Sequence, residues 1–431
     1  MMLKKVIVLI FGLVITFFLS ACDNESSKSQ SKEVIKVGVI YPLTGPNAAS
    51  GEDLKAGVEL ASEIINRHFE FSVPLAKGEG FTFHEGLKIE ILYRDSQSDP
   101  ILAANWVEKL INEDHVKAIM GCYSSTVTAA ASERAEIMNI PFLNAASTSP
   151  TLTQRGFKWF FRTTPNDEMF VQNFFTFLAD LSETQKVEVP KRLFMVYENR
   201  LWGTSVARAE RKLSIKYDYE IIEELPYDSK RTSFEKELKR LKLSSDNVIL
   251  QTSYARDAVL FMKGYKAHQI NPIAILAMNA GFISPYFLEN LGKDGEYILS
   301  REVWALDLGQ KKPLVTKIND LFVKRFGRNM TGNSARSFTG LLVLADSINR
   351  AISLEPTKIR EALLASNIKS DQLIMPWDGV KFDHQTGQNL LGSGIIVQIQ
   401  GGKYVTVWPS ELSSSDPIWP MPAWSKREKV K

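Results

Sequence analysis

The chain has 431 residues, with 52 basic and 49 acidic side chains and a formal charge of +3. That near balance excludes the electrostatic footprint nucleic-acid binding requires, and no acidic or basic tail offers a polyelectrolyte partner. Its five histidines are scattered without metal-ligand spacing, and no GxxxxGK[ST] or GxGxxG phosphate loop occurs, so no metal or cofactor is expected.

Lys4 and Lys5 precede an apolar run from Val6 to Leu19, about the length of a signal h-region and short for a membrane span. It ends in Leu19-Ser20-Ala21-Cys22, which resembles a bacterial lipobox. The expectation is a lipoprotein signal peptide over 1–21, removed to leave a diacylglycerol-bearing Cys22, and a polar lipidated tether over 22–33. The folded part would then be extracytoplasmic (periplasmic in a two-membrane cell) and anchored by lipid. Asp23 resembles the inner-membrane retention signal of some enteric bacteria, which leaves the membrane open. With Cys22 lipidated, Cys122 has no internal partner and reads as a small buried apolar residue.

Val34 to Tyr41 reads as a strand, and Leu43-Thr44-Gly45-Pro46-Asn47 as a turn. Leu54, Val58, Ala61 and Ile65 then recur at helical spacing. After Arg67 to Gly86, a Phe- and Gly-rich stretch expected to be a surface loop or hairpin, come a strand (87–93) and a helix (102–111). A second series starts at Arg192, with strands over 193–197, 247–251 and 273–278 and helices over 206–213 and 234–241. Strands alternating with amphipathic helices imply βαβ units, an α/β class and parallel sheets. Phe338, Leu341, Leu342, Ala345 and Ile348 give a helix over 334–352 one apolar side to cover a sheet.

The stretch from Val116 to Pro150 holds the most chemistry. A buried strand ends at Gly121, followed by Cys122-Tyr123-Ser124-Ser125-Thr126 and an Ala-rich helix over 127–138. A second strand (140–144) ends in Ala145-Ala146-Ser147-Thr148-Ser149-Pro150. Two adjacent strands thus end in small hydroxyl-bearing loops, and the first feeds a helix N-terminus. Free N–H groups and the positive end of the dipole suit an anion there, and ligands of open α/β sheets bind at strand carboxyl ends. These Ser and Thr residues also suit ordinary helix N-caps.

GCYSS followed by NAAST-SP resembles the type I periplasmic solute-binding proteins, the leucine/isoleucine/valine-binding family of ABC transporters. The resemblance extends over GVIYPLTGPNAASGEDLKAGVELA (38–61), YRDSQSDP (93–100), LTQRGFKWFFRTTPND (152–167), FDHQTG (382–387) and VWP (407–409). It implies two Rossmann-like lobes with parallel sheets, joined by three crossover hinge segments near 161–164, 300–304 and 375–380. Lobe 1 would comprise 34–162 plus 302–376, lobe 2 163–301 plus 377–410, and 411–431 would be a C-terminal tail packed along the surface.

Carried over residue by residue, the resemblance puts Ser125, Ala146 and Thr148 where the family holds an amino acid's carboxylate and amine. Ser125 would take the anion; the Ala146 carbonyl and Thr148 hydroxyl would meet the ammonium, flanked by Tyr123 and Ser124. Trp202 and Tyr254 fall at aromatic positions on the opposing lobe. Asp167 either enters the cleft or caps the next helix. Two departures stand out: Ala280 occupies the position of a familiar acidic residue, and Ser50 that of an aromatic. A buried ammonium would lack its strongest partner, so a neutral amide, a urea-like compound or a carboxylate without an amine competes with an amino acid. Glu198 or Asp257 are the candidates to supply the missing charge. The implied function is a membrane-anchored solute receptor handing a small ligand to ABC permease subunits. The alternative is a sensor of the same fold reporting to a receptor or regulator. A third reading is a structural lipoprotein whose cleft is filled by its own side chains. No GxSxG elbow surrounds Ser125, and no enzymatic role is expected.

Overall fold

The computed structural model describes residues 33–184, 186–241 and 246–427; the proposed leader, Cys22 and the tether up to residue 32 lie outside the described residues. The first sheet is built from β1 (Val34–Tyr41), α1 (Ala48–Asn66), β2 (Lys88–Asp95), α2 (Pro100–Asn112), β3 (Ala118–Gly121), α3 (Ser125–Ile137), β4 (Phe142–Asn144) and β5 (Phe160–Arg162). Its strands run in the order β2-β1-β3-β4-β5, all parallel. β1 and β3 are covered on both faces, which is why they read as near-continuous Val, Ile and Met runs. Local chemistry sets where the helices begin. Asp99 accepts from the Ile101 and Leu102 amides at 2.7 and 2.9 Å, with Pro100 at the first helical position of α2.

Beyond β5 the chain passes to a second lobe through α4 (Asp167–Thr184). There follow β6 (Arg192–Glu198), α5 (Leu201–Lys216), β7 (Glu220–Tyr227), α6 (Glu235–Leu241), β8 (Val248–Thr252), α7 (Ala255–Ala267), β9 (Ala274–Ala277), α8 (Pro285–Leu291) and β10 (Leu299–Glu302). It then forms α9 (Pro313–Phe326), α10 (Gly332–Arg350), α11 (Pro356–Leu364) and a short antiparallel pair, β11 (Ile368–Lys369) with β12 (Gly379–Val380). The second sheet is completed by β13 (Ile395–Gln400) and β14 (Lys403–Trp408), in the order β14-β13-β10-β9-β8-β6-β7. β13 and β14 are antiparallel to their neighbours; the other strands are parallel.

α10 is buried almost all round, not along one apolar side as its sequence pattern suggests. It lies wedged between the first sheet and α1. A Cβ on Gly57 would come within 2.1 Å of the Ser334 carbonyl, and one on Gly340 within 2.7 Å of the Met120 side chain. The Ser337 hydroxyl donates to the Leu54 carbonyl at 2.7 Å across the helix crossing. Small residues let the backbones approach this closely.

The stretch from Arg67 to Gly86 folds inward, more than a surface loop or hairpin would. Val73, Ala76 and Phe81 join the core, and the Phe83 amide donates to Asn349 Oδ1 at 3.0 Å on α10. The C-terminal residues extend the second lobe's core. Met421 and Trp424 are buried in it, and Trp424 Nε1 donates to the Ile270 carbonyl at 2.8 Å. None of the described helices is long and apolar enough to cross a membrane.

Two connections between the sheets run side by side and are bonded together. The Arg162 amide donates to the Gly387 carbonyl at 2.8 Å, and the Asn389 amide to the Arg162 carbonyl at 2.8 Å. Gln388 Nε2 donates to the Thr164 carbonyl at 2.9 Å, and Asn389 Nδ2 to the Thr163 carbonyl at 3.1 Å.

Candidate functional site

The tips of β3 and β4 lie against each other. Ser124 caps α3, accepting from the Val127 amide at 3.4 Å. The Ser147 hydroxyl lies 2.5 Å from Thr128 Oγ1 and donates to the Tyr123 carbonyl at 2.9 Å. The Ser149 amide donates to Ser125 Oγ at 3.3 Å, leaving the Ser125 O–H to donate elsewhere. Cys122 is buried beneath this loop, and burial pushes its thiol up, out of the reactive range.

The second lobe closes over these tips. Trp202 on α5 and Tyr254 at the start of α7 pack with ring centroids 4.8 Å apart, and Tyr123 meets Tyr254 at 5.9 Å. A Cβ on Gly281 would stand 2.5 Å from the Tyr254 backbone, so glycine lets the loop after β9 pack against the main chain that starts α7. Ser149 Oγ and Ser205 Oγ bridge the lobes at 2.7 Å. The result is a cavity of about 20 Å³. Tyr123, Ser125, Ala146, Thr148, Trp202 and Tyr254, all singled out from the sequence, line it. A space of that size holds about one water, so a ligand enters only if the walls part.

Ser124 and Asp167 do not line this cavity. Ser124 lines a neighbouring pocket of about 270 Å³ nearer the surface, with Arg200, Lys230, Arg256 and Asp257. Asp167 lies behind the wall. Asn166 caps α4, accepting from the Met169 amide at 3.0 Å, while Asp167 accepts from Trp202 Nε1 at 3.3 Å and sits 3.9 Å from Arg301. Burial raises the Asp167 carboxyl to about 6 despite the pull of Arg301. Neither candidate for the missing charge reaches the cavity. Glu198 spends both oxygens on the first turn of α5, accepting from the Gly203 and Arg200 amides at 2.7 and 2.9 Å. Asp257 lies 3.4 Å from the Tyr227 hydroxyl and 3.5 Å from Arg256 Nε.

Ser147, Asn279 and Ala280 add to the lining, and two further cavity residues escaped sequence reasoning: Arg301 on β10 and Arg336 on α10. Arg336 is fully engaged. Its Nε donates to the Gly332 carbonyl at 3.1 Å and Nη1 to the Ala146 carbonyl at 3.4 Å, while Nη2 lies 3.2 Å from both Asn279 Oδ1 and Glu302 Oε2. Arg301 is 1 % exposed and stacks over Phe170, 3.8 Å from the ring centroid. Burial, reinforced by Arg336, lowers its guanidinium to about 9. A polar Ser-Arg-Glu run in a strand gives no sign that its arginine is buried; a charged residue inside a predicted crossover segment was the available hint.

A family model described as a periplasmic binding protein matches residues 34–403. "Leu/Ile/Val-binding protein homolog 7" of Brucella abortus (strain 2308) is 27% identical over 410 residues, covering 92% of this chain and 97% of that protein. The leucine binding protein LivK of Thermotoga maritima superposes with a TM-score of 0.73 at 20% identity, over 86% of this chain and 97% of its own. LivJ of Streptococcus pneumoniae, solved in complex with isoleucine, superposes with a TM-score of 0.70 at 18% identity, over 86% of this chain and 98% of its own.

Proposed function

The chain belongs to the periplasmic binding protein family, and from that premise we propose that it is an extracytoplasmic solute-binding lipoprotein of an ABC uptake system. It takes a small amino-acid-like or amide ligand between its lobes and hands it to permease subunits. Membership of the family implies a place outside the cytoplasmic membrane, and the lipobox-like Leu19-Ser20-Ala21-Cys22 supports an anchor at Cys22. We further propose the lobe boundaries 34–162 plus 302–376 and 163–301 plus 377–410. Three crossovers then let one lobe swing over the other, and a ligand touching both lobes favours the closed form by its differential affinity.

One observation carries the reading: two hydroxyl-bearing strand tips of one lobe face a Trp202–Tyr254 wall of the other across a narrow cavity. Its 20 Å³ volume also favours a second reading, a structural lipoprotein whose cleft its own side chains fill. A metabolite screen by thermal unfolding of the purified full-length protein separates the two. A true ligand at a hundredfold excess over its dissociation constant stabilises by about 2.7 kcal/mol. A broad screen without any shift would leave the structural reading standing. Ser125→Ala is expected to weaken binding about tenfold, because a buried ligand oxygen loses a donor. Titration calorimetry of that variant checks it, and unchanged affinity moves the anion seat elsewhere.

A further inference from the structure

We propose that the cleft is specific for a carboxylate that carries no amine, and that Arg301 is its seat. The inference rests on the receptor reading above and names its ligand class. Arg301 Nε and Nη1 have no hydrogen-bond partner among the described residues, although the side chain is 1 % exposed and lines the cavity. Its remaining nitrogen, Nη2, is only loosely held, 3.5 Å from Thr148 Oγ1 and 3.9 Å from Asp167 Oδ1. A buried guanidinium with two donor groups unused is costly, and a planar carboxylate is the partner its fork fits.

The same geometry rejects an ammonium. The Ala146 carbonyl already accepts from Arg336 Nη1 at 3.4 Å, and Thr148 Oγ1 faces Arg301. Both groups that the family resemblance assigns to a ligand amine therefore look onto guanidinium cations. No carboxylate lines the cavity, and Ala280 stands where an acid would be needed. Glu302, outside that lining, accepts from Arg336, Asn279 and the Val303 amide through Oε2, while its Oε1 packs against Gly332. An α-amino group there would be desolvated beside two guanidinium groups, and the cavity lining itself supplies no carboxylate to receive it. The outer pocket agrees: Arg200, Lys230 and Arg256 line it against a single acid, Asp257, so the approach favours anions.

Asp167 is a positioning residue in this scheme. It is absent from the cavity lining, accepts from the indole Nε1 at 3.3 Å and lies 3.9 Å from the Arg301 guanidinium.

The test compares matched probes by titration calorimetry on the purified full-length protein: 4-methylpentanoate, its amide and leucine, then benzoate, benzamide and phenylalanine. One of the two acids is expected to bind, with its amide and its amino acid each at least about tenfold weaker. Arg301→Gln is expected to lose about 100-fold in affinity for that acid, and Arg301→Lys to recover part of it. The unliganded thermal midpoint of each variant reports whether it folds; if Arg301→Gln does not, the wild-type comparison decides. An amide or amino acid binding as tightly as its acid overturns the ligand class and leaves the receptor reading in place. Unchanged affinity in folded Arg301→Gln overturns the seat. Silence from all six probes overturns the class, and silence in the broad metabolite screen as well overturns the receptor reading with it.

Discussion

Arg162→Met is expected to lower the unfolding free energy by about 3–5 kcal/mol, read as a reduced urea midpoint with unchanged slope. Arg162 ends β5 with no exposure at all. Its Nε donates to Gln388 Oε1 at 2.7 Å, Nη1 to the Ser149 carbonyl at 2.7 Å and Nη2 to Thr153 Oγ1 at 3.0 Å. Two opposing effects decide the sign. Methionine removes a buried charge whose desolvation lowers the guanidinium to about 9, which favours the variant. It also strands four buried acceptors, the Ser147 carbonyl at 3.4 Å among them, each worth about 1–3 kcal/mol when unpaired, and the stranded acceptors win. The loop carrying Thr148 and the bonded pair of connections both hang on these bonds, so ligand affinity should fall with stability. A loss under about 1 kcal/mol would mean that desolvation cancels the network.

Glu210→Gln is expected to act the other way, stabilising the protein by about 3 kcal/mol at pH 7. Glu210 lies buried on α5, and its Oε1 has no hydrogen-bond partner among the described residues. Burial first, and then the charge of Asp167, raise its carboxyl from 4.5 to about 8. The folded protein therefore keeps a proton that the unfolded chain releases above about pH 4.5. Wild-type stability falls as pH rises from there to about 8, then levels. Glutamine fills the same space, cannot ionise and lacks that slope. Asp167 and Asp257, raised to about 6 and about 7 mainly by burial, contribute slopes of the same sign to both proteins. The difference between wild type and variant isolates Glu210. Unfolding measured at pH 5, 7 and 8.5 should show a gap that widens with pH, and a constant gap would refute the assignment.

The second lobe shows where local patterns fail. β7 (Glu220–Tyr227) is an edge strand with three glutamates and Pro226, so no apolar run announces it. By contrast, α7 (Ala255–Ala267) was legible but unread: Ala258, Phe261, Met262 and Tyr265 recur at helical spacing on its buried side, with Arg256 and Lys263 off it. The β13–β14 pair joins a parallel sheet from the far end of the chain, an arrangement that neighbouring residues do not encode.

The sequence alone determined the parallel α/β units and the two hydroxyl-bearing strand tips; it left Ser124 open between ligand contact and helix cap, and the structure shows the cap. Each of these depends on residues within a turn or two of one another, where backbone hydrogen bonding and side-chain spacing are local matters. Only the tertiary structure decided the charge of the site. Arg301 faces Thr148 from 153 positions away, and Arg336 reaches Ala146 across 190. Which way such long side chains turn depends on what packs around them: Phe170 beneath one guanidinium, Glu302 and Asn279 beside the other. No period or motif in the chain carries that information, since it arises from the summed burial of both lobes.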